Sequence, residues 1–328
     1  MLLKDDEKLQ YDDPVEKYLP NLPYPNITIR QLLTHTSGLP DYQAIMDQRW
    51  DKRKVANNDD ILEYLKKFHP SKSFEPGEKY EYSNTGYVLL ASIAEKASGK
   101  DFIEMCRERI FQPLGMTSTS ARYADFWGRT NKAVGHVLVD GAWVHHNQRN
   151  PDAQSPAGGV SSSANDMARW MRLQIAAGKY DGKQIISAAA LEETHHPQIL
   201  THFSPANGLP DFYGLGLNVN YDQAGLLHLG HSGAFAMGAA TTVSMVPAKS
   251  VGICVLTNAY PIGVAESLAT TFTDLVLYGE TSRDWFALFK QLFSDPAALG
   301  ISQGYDYSRA PASATAALKN GAYAGRYV

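Results

Sequence analysis

Two short segments of the sequence carry side chains whose types and spacing suit work on a carbonyl compound. Tyr82 and Asn84 are separated by one residue and stand just before a predicted helix, so both can point into one cleft while Ser83 points away. A tyrosine whose pKa is lowered by cationic neighbours can act as a general base or a proton shuttle. An asparagine amide can orient a substrate amide. Tyr82 and Asn84 are therefore candidate catalytic residues, although a Tyr-x-Asn pattern is equally compatible with an ordinary helix start.

The second segment, residues 230–234, follows a predicted strand and reads Gly-His-Ser-Gly-Ala. Gly233 and Ala234 are small, so backbone N–H groups at this strand edge can reach a carbonyl oxygen with no side chain in the way. The segment also invites interpretation as the nucleophile elbow of an α/β-hydrolase, in which the acid and the histidine follow the serine. No histidine follows Ser232, and that interpretation is therefore excluded.

Helices and strands must bring the two segments together, and the hydrophobic periodicity predicts both kinds of element. The predicted helices span residues 29–34, 57–68, 84–97, 102–111, 163–177 and 263–278. The predicted strands span residues 214–221, 226–229, 239–246 and 251–256. Helices followed by strands indicate an α+β fold, with an antiparallel sheet packed by helices.

Composition excludes several classes of partner. The 328 residues include 30 Lys plus Arg and 34 Asp plus Glu, a net charge of −4, which argues against nucleic acid or an anionic membrane surface as the main partner. The apolar run at residues 251–256 is far shorter than the ~20 residues of a membrane helix. The first residues lack the pattern of a secretory signal, and the compartment stays undecided. Two cysteines allow one disulfide at most.

Six segments together resemble the serine β-lactamase and penicillin-binding-protein superfamily, in particular the branch of class C β-lactamases, D,D-peptidases and esterases. The resemblance runs from about residue 2 to about residue 280, and the motifs follow in the expected order. They are LLTHTSGLP at 32–40, FEPGE at 74–78, YSNTGY at 82–87, PLGM at 113–116, PAGG at 156–159 and GHSG at 230–233.

The resemblance implies a fold and a role for each candidate residue. It implies an antiparallel sheet flanked by helices, a further helical region, and acyl transfer through a serine ester at a site between the two parts. Tyr82 matches the general-base tyrosine and Asn84 the substrate-orienting asparagine. His231 and Ser232 belong to the third motif, in which His231 would tune Tyr82 electrostatically. Ser232, Gly233 and Ala234 would bind substrate, and Ala234 would supply one of two oxyanion N–H groups.

The sequence departs from the family at the nucleophile. Members use the serine of a Ser-x-x-Lys motif, whose lysine helps to activate it. None of the serines here has a lysine three residues on. We therefore expect residues 1–280 to be a hydrolase domain that is incomplete at its N-terminus. Residues 281–317 are predicted as a helix and linker, and residues 318–328 as the start of a truncated C-terminal β domain. Missing strands would leave apolar surface uncovered, which favours self-association.

The remaining histidines favour structural roles. His145 and His146, like His195 and His196, are adjacent pairs whose side chains diverge, so surface or turn positions are favoured over a metal site. No metal and no cofactor is predicted. His35 lies within the first motif, and we interpret it as fixing its own loop by hydrogen bonds.

Two functions remain open from the sequence. The first is a serine hydrolase that acts by acyl transfer on a D-amino-acid peptide, an ester or a β-lactam. The second is a catalytically inactive relative that binds a peptide or peptidoglycan-like ligand in the same cleft. In either case the expected partner is a small acyl compound or peptide. Tyr213 and three other aromatic residues either line that cleft or pack in the core, and these are Trp127, Trp143 and Tyr221.

Overall fold

A six-stranded antiparallel sheet dominates the second half of the structure, a computed structural model that describes residues 1–41, 58–146 and 150–294. The strands in these ranges are β1 (His136–Val139), β2 (Ala142–His145), β3 (Lys179–Tyr180), β4 (Lys183–Gln184), β5 (Ile199–Phe203), β6 (Pro210–Tyr213), β7 (Asn218–Tyr221), β8 (Leu227–Phe235), β9 (Ala239–Val246) and β10 (Val251–Thr257). The large sheet has the order β10-β9-β8-β7-β6-β5, a meander, while β1 pairs with β2 and β3 with β4. The predicted α+β fold with an antiparallel sheet is confirmed.

Helices make up most of the first half and flank the sheet. They are α1 (Leu2–Asp5), α2 (Ile29–Leu33), α3 (Asn58–Phe68), α4 (Asn84–Ser98), α5 (Phe102–Cys106), α6 (Tyr123–Trp127), α7 (Ser155–Gly158), α8 (Ala164–Ile175), α9 (Ala188–His195), α10 (Val264–Tyr278) and α11 (Trp285–Leu292). The helix predicted at 102–111 is α-helical only to Cys106, and Arg107–Phe111 continues it as a π-helical turn.

Local chemistry explains where several helices begin and end. Thr28 and Gln31 form a capping box at the start of α2, in which each side chain bonds the other residue's backbone N–H. Ser163 accepts the N–H of Asp166 at the start of α8. Gly99 ends α4 in the left-handed conformation, with φ at +73°, which glycine adopts without steric cost.

The observed strand boundaries differ from the predicted ones at several positions. β9 spans the predicted residues, whereas β8 continues six residues past its predicted end because it pairs with β9 as far as Phe235. The strand predicted from residue 214 starts only at Asn218, since a tight turn closed by the Gly214 N–H on the Leu217 carbonyl comes first. β5 and β6 are short and were not predicted.

Apolar clusters of buried side chains support both halves of the described chain. The helical half packs around fully buried leucines and isoleucines, among them Leu32, Leu65, Leu89 and Ile93. The sheet packs against α8 through Met171 on the helix and Val219, Leu229 and Met245 on the strands. α10 contacts β9 and β10, and α11 packs on α10. The site must lie where the two halves meet.

One boundary of the sheet carries exposed apolar side chains. β10 is an edge strand of the sheet as described, and its seven residues include no charged side chain. On α10, Leu268, Phe272, Leu275 and Val276 are 38–53% exposed. We refer to these four side chains as the α10 apolar face.

Two further observations concern the described ranges as a whole. None of the helices in them combines the length and apolar character needed to cross a bilayer. Cys106 and Cys254 are both free thiols, so the single disulfide allowed by the cysteine count is not formed.

Candidate active site

Tyr82 and Asn84 stand at the junction between an extended segment and the first turn of α4. Ser83, between them, has an extended backbone and is buried, so it points away from its neighbours as the spacing predicts. The carboxylate of Asp41 accepts both the backbone N–H of Asn84 (2.7 Å) and its side-chain Nδ2 (2.8 Å). The next residue is pinned as well, because the Thr85 hydroxyl donates to the Pro40 carbonyl at 2.8 Å. The Asn84 amide is therefore held in one orientation.

The Tyr82 phenol remains accessible while its ring rests on other aromatic groups. The residue is 42% exposed, and its ring centroid lies 4.1 Å from that of His35 and 6.3 Å from that of His231. Desolvation, together with the negative charge of Asp41, raises the pKa of Tyr82 to about 12. A pKa lowered by cationic neighbours was the condition for a general base, and the described residues produce the opposite shift.

His231 is joined to Tyr213 at the end of β6. The Tyr213 hydroxyl donates to His231 Nε2 at 3.2 Å, and His231 Nδ1 donates to the backbone carbonyl of Ser232 at 2.7 Å. Burial lowers the pKa of His231, so the imidazole is neutral at neutral pH. A neutral ring carries no net charge, so an electrostatic effect of His231 on Tyr82 would act through the ring dipole, and this role stays a prediction.

The β8 strand presents a free edge beside these side chains. β7 pairs with β8 only from Leu227 to Gly230, while β9 follows β8 to Phe235. In the described part of the chain, the stretch from His231 onward thus has a strand neighbour on one side only. Backbone groups of alternate residues point to that open side, and a strand partner or an extended ligand can occupy it.

Ser232 and Gly233 contribute to this edge in different ways. The Ser232 hydroxyl lies on the opposite face of β8 from His231, and it donates to Thr242 Oγ1 at 3.1 Å. The structure thus separates it from the aromatic groups around Tyr82, and its role in substrate binding stays a prediction. A Cβ added to Gly233 would lie 2.8 Å from Thr241 Oγ1, so a larger residue would crowd the strand here.

A short helix, α7, lies against the end of β8. α7 packs on α4, and a Cβ added to Gly158 would lie only 3.1 Å from the ring of Phe235. A Cβ on Gly159 would lie 2.5 Å from the Cα of Ser155 and collide with it. These two close contacts explain why two glycines end the motif at 156–159. α7 therefore contacts both α4, which follows Tyr82, and the end of β8.

The histidine predictions have mixed outcomes. His35 was expected to fix its own loop by hydrogen bonds, but its Nδ1 accepts the Ser83 N–H at 3.1 Å and so holds the loop that carries Tyr82. His195 was expected at the surface or in a turn, but it is buried and bonds Gln174 Oε1 through Nε2 at 3.0 Å. Within the described ranges, no group of three His, Cys, Asp or Glu side chains is placed to hold a metal ion.

Two residues of the site carried no distinctive signal in the sequence. Asp41 follows the first motif directly, but only the folded chain brings it to Asn84, 43 residues away. Tyr213 was left open between cleft and core, and it takes part in both: it is 1% exposed and bonds His231. A tyrosine at the end of a strand gives no indication of a partner on a different strand.

Comparison with known proteins identifies a family that the sequence matches and several relatives. The sequence matches the model of the Beta-lactamase family over residues 1–277. Penicillin-binding protein 4* of Bacillus subtilis (strain 168) is 49% identical over 119 residues, which are 36% of this chain and 26% of that protein. The D-alanyl-D-alanine-carboxypeptidase/endopeptidase AmpH of Escherichia coli (strain K12) is 27% identical over 299 residues, 84% of this chain and 72% of that protein.

A solved structure gives the same picture. The octameric penicillin-binding protein homologue from Pyrococcus abyssi superposes with a TM-score of 0.74 at 29% sequence identity. The match covers 86% of this chain and 63% of that one. The chain therefore spans about a quarter of the Bacillus protein and less than two thirds of the Pyrococcus one.

Proposed function

The chain belongs to the beta-lactamase family, and from that premise we propose that it acts in acyl transfer on D-amino-acid peptides and related amides, esters or β-lactams. One observation carries the proposal: the Tyr82 ring lies 6.3 Å from that of His231, which is bonded to Tyr213 and stands where the free edge of β8 begins. The name of the Escherichia relative, a D-alanyl-D-alanine-carboxypeptidase, supports a D-peptide as substrate.

The proposed reaction gives each group one task. A serine oxygen attacks the substrate carbonyl carbon, and the Ala234 N–H stabilises the oxygen that becomes negative. The bond from that carbon to the leaving nitrogen or oxygen then breaks, and Tyr82 passes the serine proton to the leaving atom. Water attacks the serine ester, releases the acid and restores the serine. Asn84 holds the substrate through the amide atoms that Asp41 leaves free.

This reaction requires a serine and an activating lysine, and no Ser-x-x-Lys stands in the 328 residues. A lysine placed beside Tyr82 would bring a positive charge that lowers the pKa of Tyr82, which burial and Asp41 raise in the described chain.

The alternative is a binding protein without catalysis. The same two observations favour it: the pattern Ser-x-x-Lys is missing from the sequence, and the phenol of Tyr82 is a neutral donor at ordinary pH. Such a protein would hold a D-peptide at the β8 edge and release it unchanged.

The experiment measures binding and covalent labelling of the 328-residue chain. We expect N-acetyl-D-alanyl-D-alanine to bind more tightly than its L,L isomer, and Asn84→Ala to weaken binding about 10-fold through loss of one or two hydrogen bonds. We expect no adduct with a fluorophosphonate or a fluorescent penicillin. Equal binding of both isomers would contradict the substrate class. A stoichiometric adduct on Ser83 or Ser232 would contradict this expectation and identify a serine of this chain as the nucleophile.

We also propose that copies of the chain associate through the α10 apolar face and the β10 edge. An uncharged edge strand next to exposed leucine, valine and phenylalanine side chains is a surface that favours pairing with another chain. The Pyrococcus relative is octameric, which supports assembly as a property within the family.

A further inference from the structure

His35 forms hydrogen bonds with the backbone on both sides of Tyr82. Its carbonyl oxygen accepts the N–H of Glu81 at 2.9 Å, and its ring nitrogen Nδ1 accepts the N–H of Ser83 at 3.1 Å. The residue before Tyr82 and the residue after it are thus bonded to the same histidine. His35 can reach both because its φ is +56°, in the left-handed region that residues other than glycine rarely adopt.

The His35 ring also connects Tyr82 with the opposite wall of the cleft. It lies against the Tyr82 ring at 4.1 Å between centroids with a tilt of 34°, and it meets Tyr213 nearly edge-on at 4.8 Å. Tyr213 in turn donates to His231 on β8. One buried imidazole therefore sets the spacing between the Tyr82 loop and the β8 edge.

Two features of His35 disfavour a role in stability alone. Because Nδ1 accepts a hydrogen bond, the ring proton sits on Nε2, and this buried atom has no hydrogen-bond partner within the described ranges. The left-handed backbone adds steric strain. A buried donor without a partner and a strained backbone both lower stability, and such features mark sites where geometry matters.

We propose that His35 is a positioning residue that holds the Tyr82 phenol in register with the Tyr213–His231 pair. This inference rests on the proposed function for its purpose, since Tyr82 is the proposed proton relay. Its geometry does not depend on the substrate. The neutral ring, unprotonated at Nδ1, is the form that performs this task, and burial keeps the pKa of His35 low, at about 3, so that this form persists.

Two variants separate the hydrogen bond from the ring. His35→Phe keeps an aromatic ring and removes the acceptor. His35→Asn tolerates the left-handed backbone and keeps a short acceptor, but it removes the ring. His195→Asn is the matched control, because His195 is also buried and bonds Gln174 rather than the Tyr82 loop.

The readouts are the Ser83 amide exchange rate, the ¹³Cζ resonance of Tyr82 in tyrosine-labelled protein, and the affinity for N-acetyl-D-alanyl-D-alanine. For His35→Phe we expect at least 10-fold faster exchange at Ser83, a shifted Tyr82 resonance and about 10-fold weaker binding. For His35→Asn we expect Ser83 exchange close to wild type but a shifted Tyr82 resonance. His195→Asn should change none of the three.

A wild-type Ser83 amide and Tyr82 resonance in His35→Phe would overturn the proposal. Should the variants not fold, the ¹⁵N spectrum of the wild-type imidazole decides, because a proton on Nδ1 instead of Nε2 would overturn it equally. If the wild-type chain binds no D-peptide, the proposed function fails, while the amide and tyrosine signals still report on His35.

Discussion

The charge on the Tyr82 phenol decides which proton transfers it can perform. Burial is the larger cause of its raised pKa and the Asp41 carboxylate the second. A phenol with a pKa of about 12 is a proton donor at neutral pH, and it becomes a base only when a positive charge is brought to it. The described residues therefore supply the proton donor of the proposed relay, but not the positive charge that would let Tyr82 accept a proton.

Replacing Asp41 tests the second cause. We expect Asp41→Asn to lower the pKa of Tyr82 part of the way from about 12 towards 10, because the charge disappears while burial remains. The measurement is a pH titration of the Tyr82 ¹³Cζ signal, assigned with Tyr82→Phe. An unchanged titration would show that Asp41 does not act on the phenol electrostatically.

Two buried histidines predict how stability depends on pH. Burial lowers the pKa of His35 to about 3 and that of His195 to about 4, from 6.5 in the unfolded chain. Between these values the unfolded state binds more protons, so the free energy of unfolding rises with pH from about 3 to 6.5 and is lost on acidification. Each histidine can remove at most about 1.4 kcal/mol per pH unit below 6.5.

Urea denaturation at pH 7 and pH 5 measures this dependence. We expect His195→Gln to flatten it, because glutamine does not titrate. His196→Gln serves as the control, since His196 is exposed. An equal fall in stability for His195→Gln and wild type would contradict the assignment of this pH dependence to buried histidines.

Residue types and spacing predicted Tyr82, Asn84 and the β8 segment, because these lie close together in the chain. The partners that set their protonation and orientation were not predictable. Asp41 and Tyr213 reach Asn84 and His231 only after folding. The charge state of His231 depends on burial, which no local pattern in the sequence reports.

At the scale of elements, the loop in the first motif packs closely against a second loop, where Gly38 meets Phe74. A Cβ on Gly38 would lie 2.1 Å from the Phe74 carbonyl oxygen, and its φ is +74°. Gly99 has nearly the same φ, +73°, but nothing lies within 4 Å of its missing Cβ. Alanine substitutions at the two glycines therefore separate the free-energy cost of the left-handed backbone from the cost of a steric clash.

We expect Gly99→Ala to cost about 1 kcal/mol of unfolding free energy, from its left-handed backbone alone. Gly38→Ala should cost at least about 2 kcal/mol more, because the Phe74 backbone cannot move aside easily. Chemical denaturation of the two variants measures the difference. Equal losses would mean that the two loops are not packed as described.

The predicted bounds of helices and strands agree with the structure where the hydrophobic pattern is long. Helices α4, α8 and α10 and strand β9 follow their periodicity closely. β5 and β6 are short and were missed, and β8 extends through a segment rich in glycine because β9 supplies its hydrogen bonds. Pairing between strands is a property of the sheet, and it overrides local preference.

At the scale of the whole molecule, membership of the beta-lactamase family is the part of the motif-based interpretation that is confirmed. The narrower placement in the class C branch and the division at residues 280 and 317 stay predictions, and residues 295–328 lie outside the described ranges. Six motifs in order identify a family because they sample the whole fold, whereas domain boundaries depend on weaker signals of composition.

Assembly is tested by light scattering coupled to gel filtration. We expect the chain to show a mass that rises with concentration, and Phe272→Asp with Leu275→Asp to reduce it, because a charge on the α10 apolar face opposes its burial. Phe203→Asp is the control, since Phe203 is 64% exposed on β5, at the other edge of the sheet. A single monomeric mass at all concentrations would contradict the proposed association.

The most direct test of the account is a titration of the ¹⁵N-labelled chain with N-acetyl-D-alanyl-D-alanine, followed by NMR. We predict saturable shifts of the Ala234 backbone amide and the Asn84 side-chain amide, with smaller or no shifts for the L,L isomer. Asn84 begins α4 and Ala234 lies on β8, so a ligand that shifts both signals contacts both elements. Shifts confined to other residues, or identical shifts with both isomers, would contradict the assignment of this cleft to D-peptide acyl transfer.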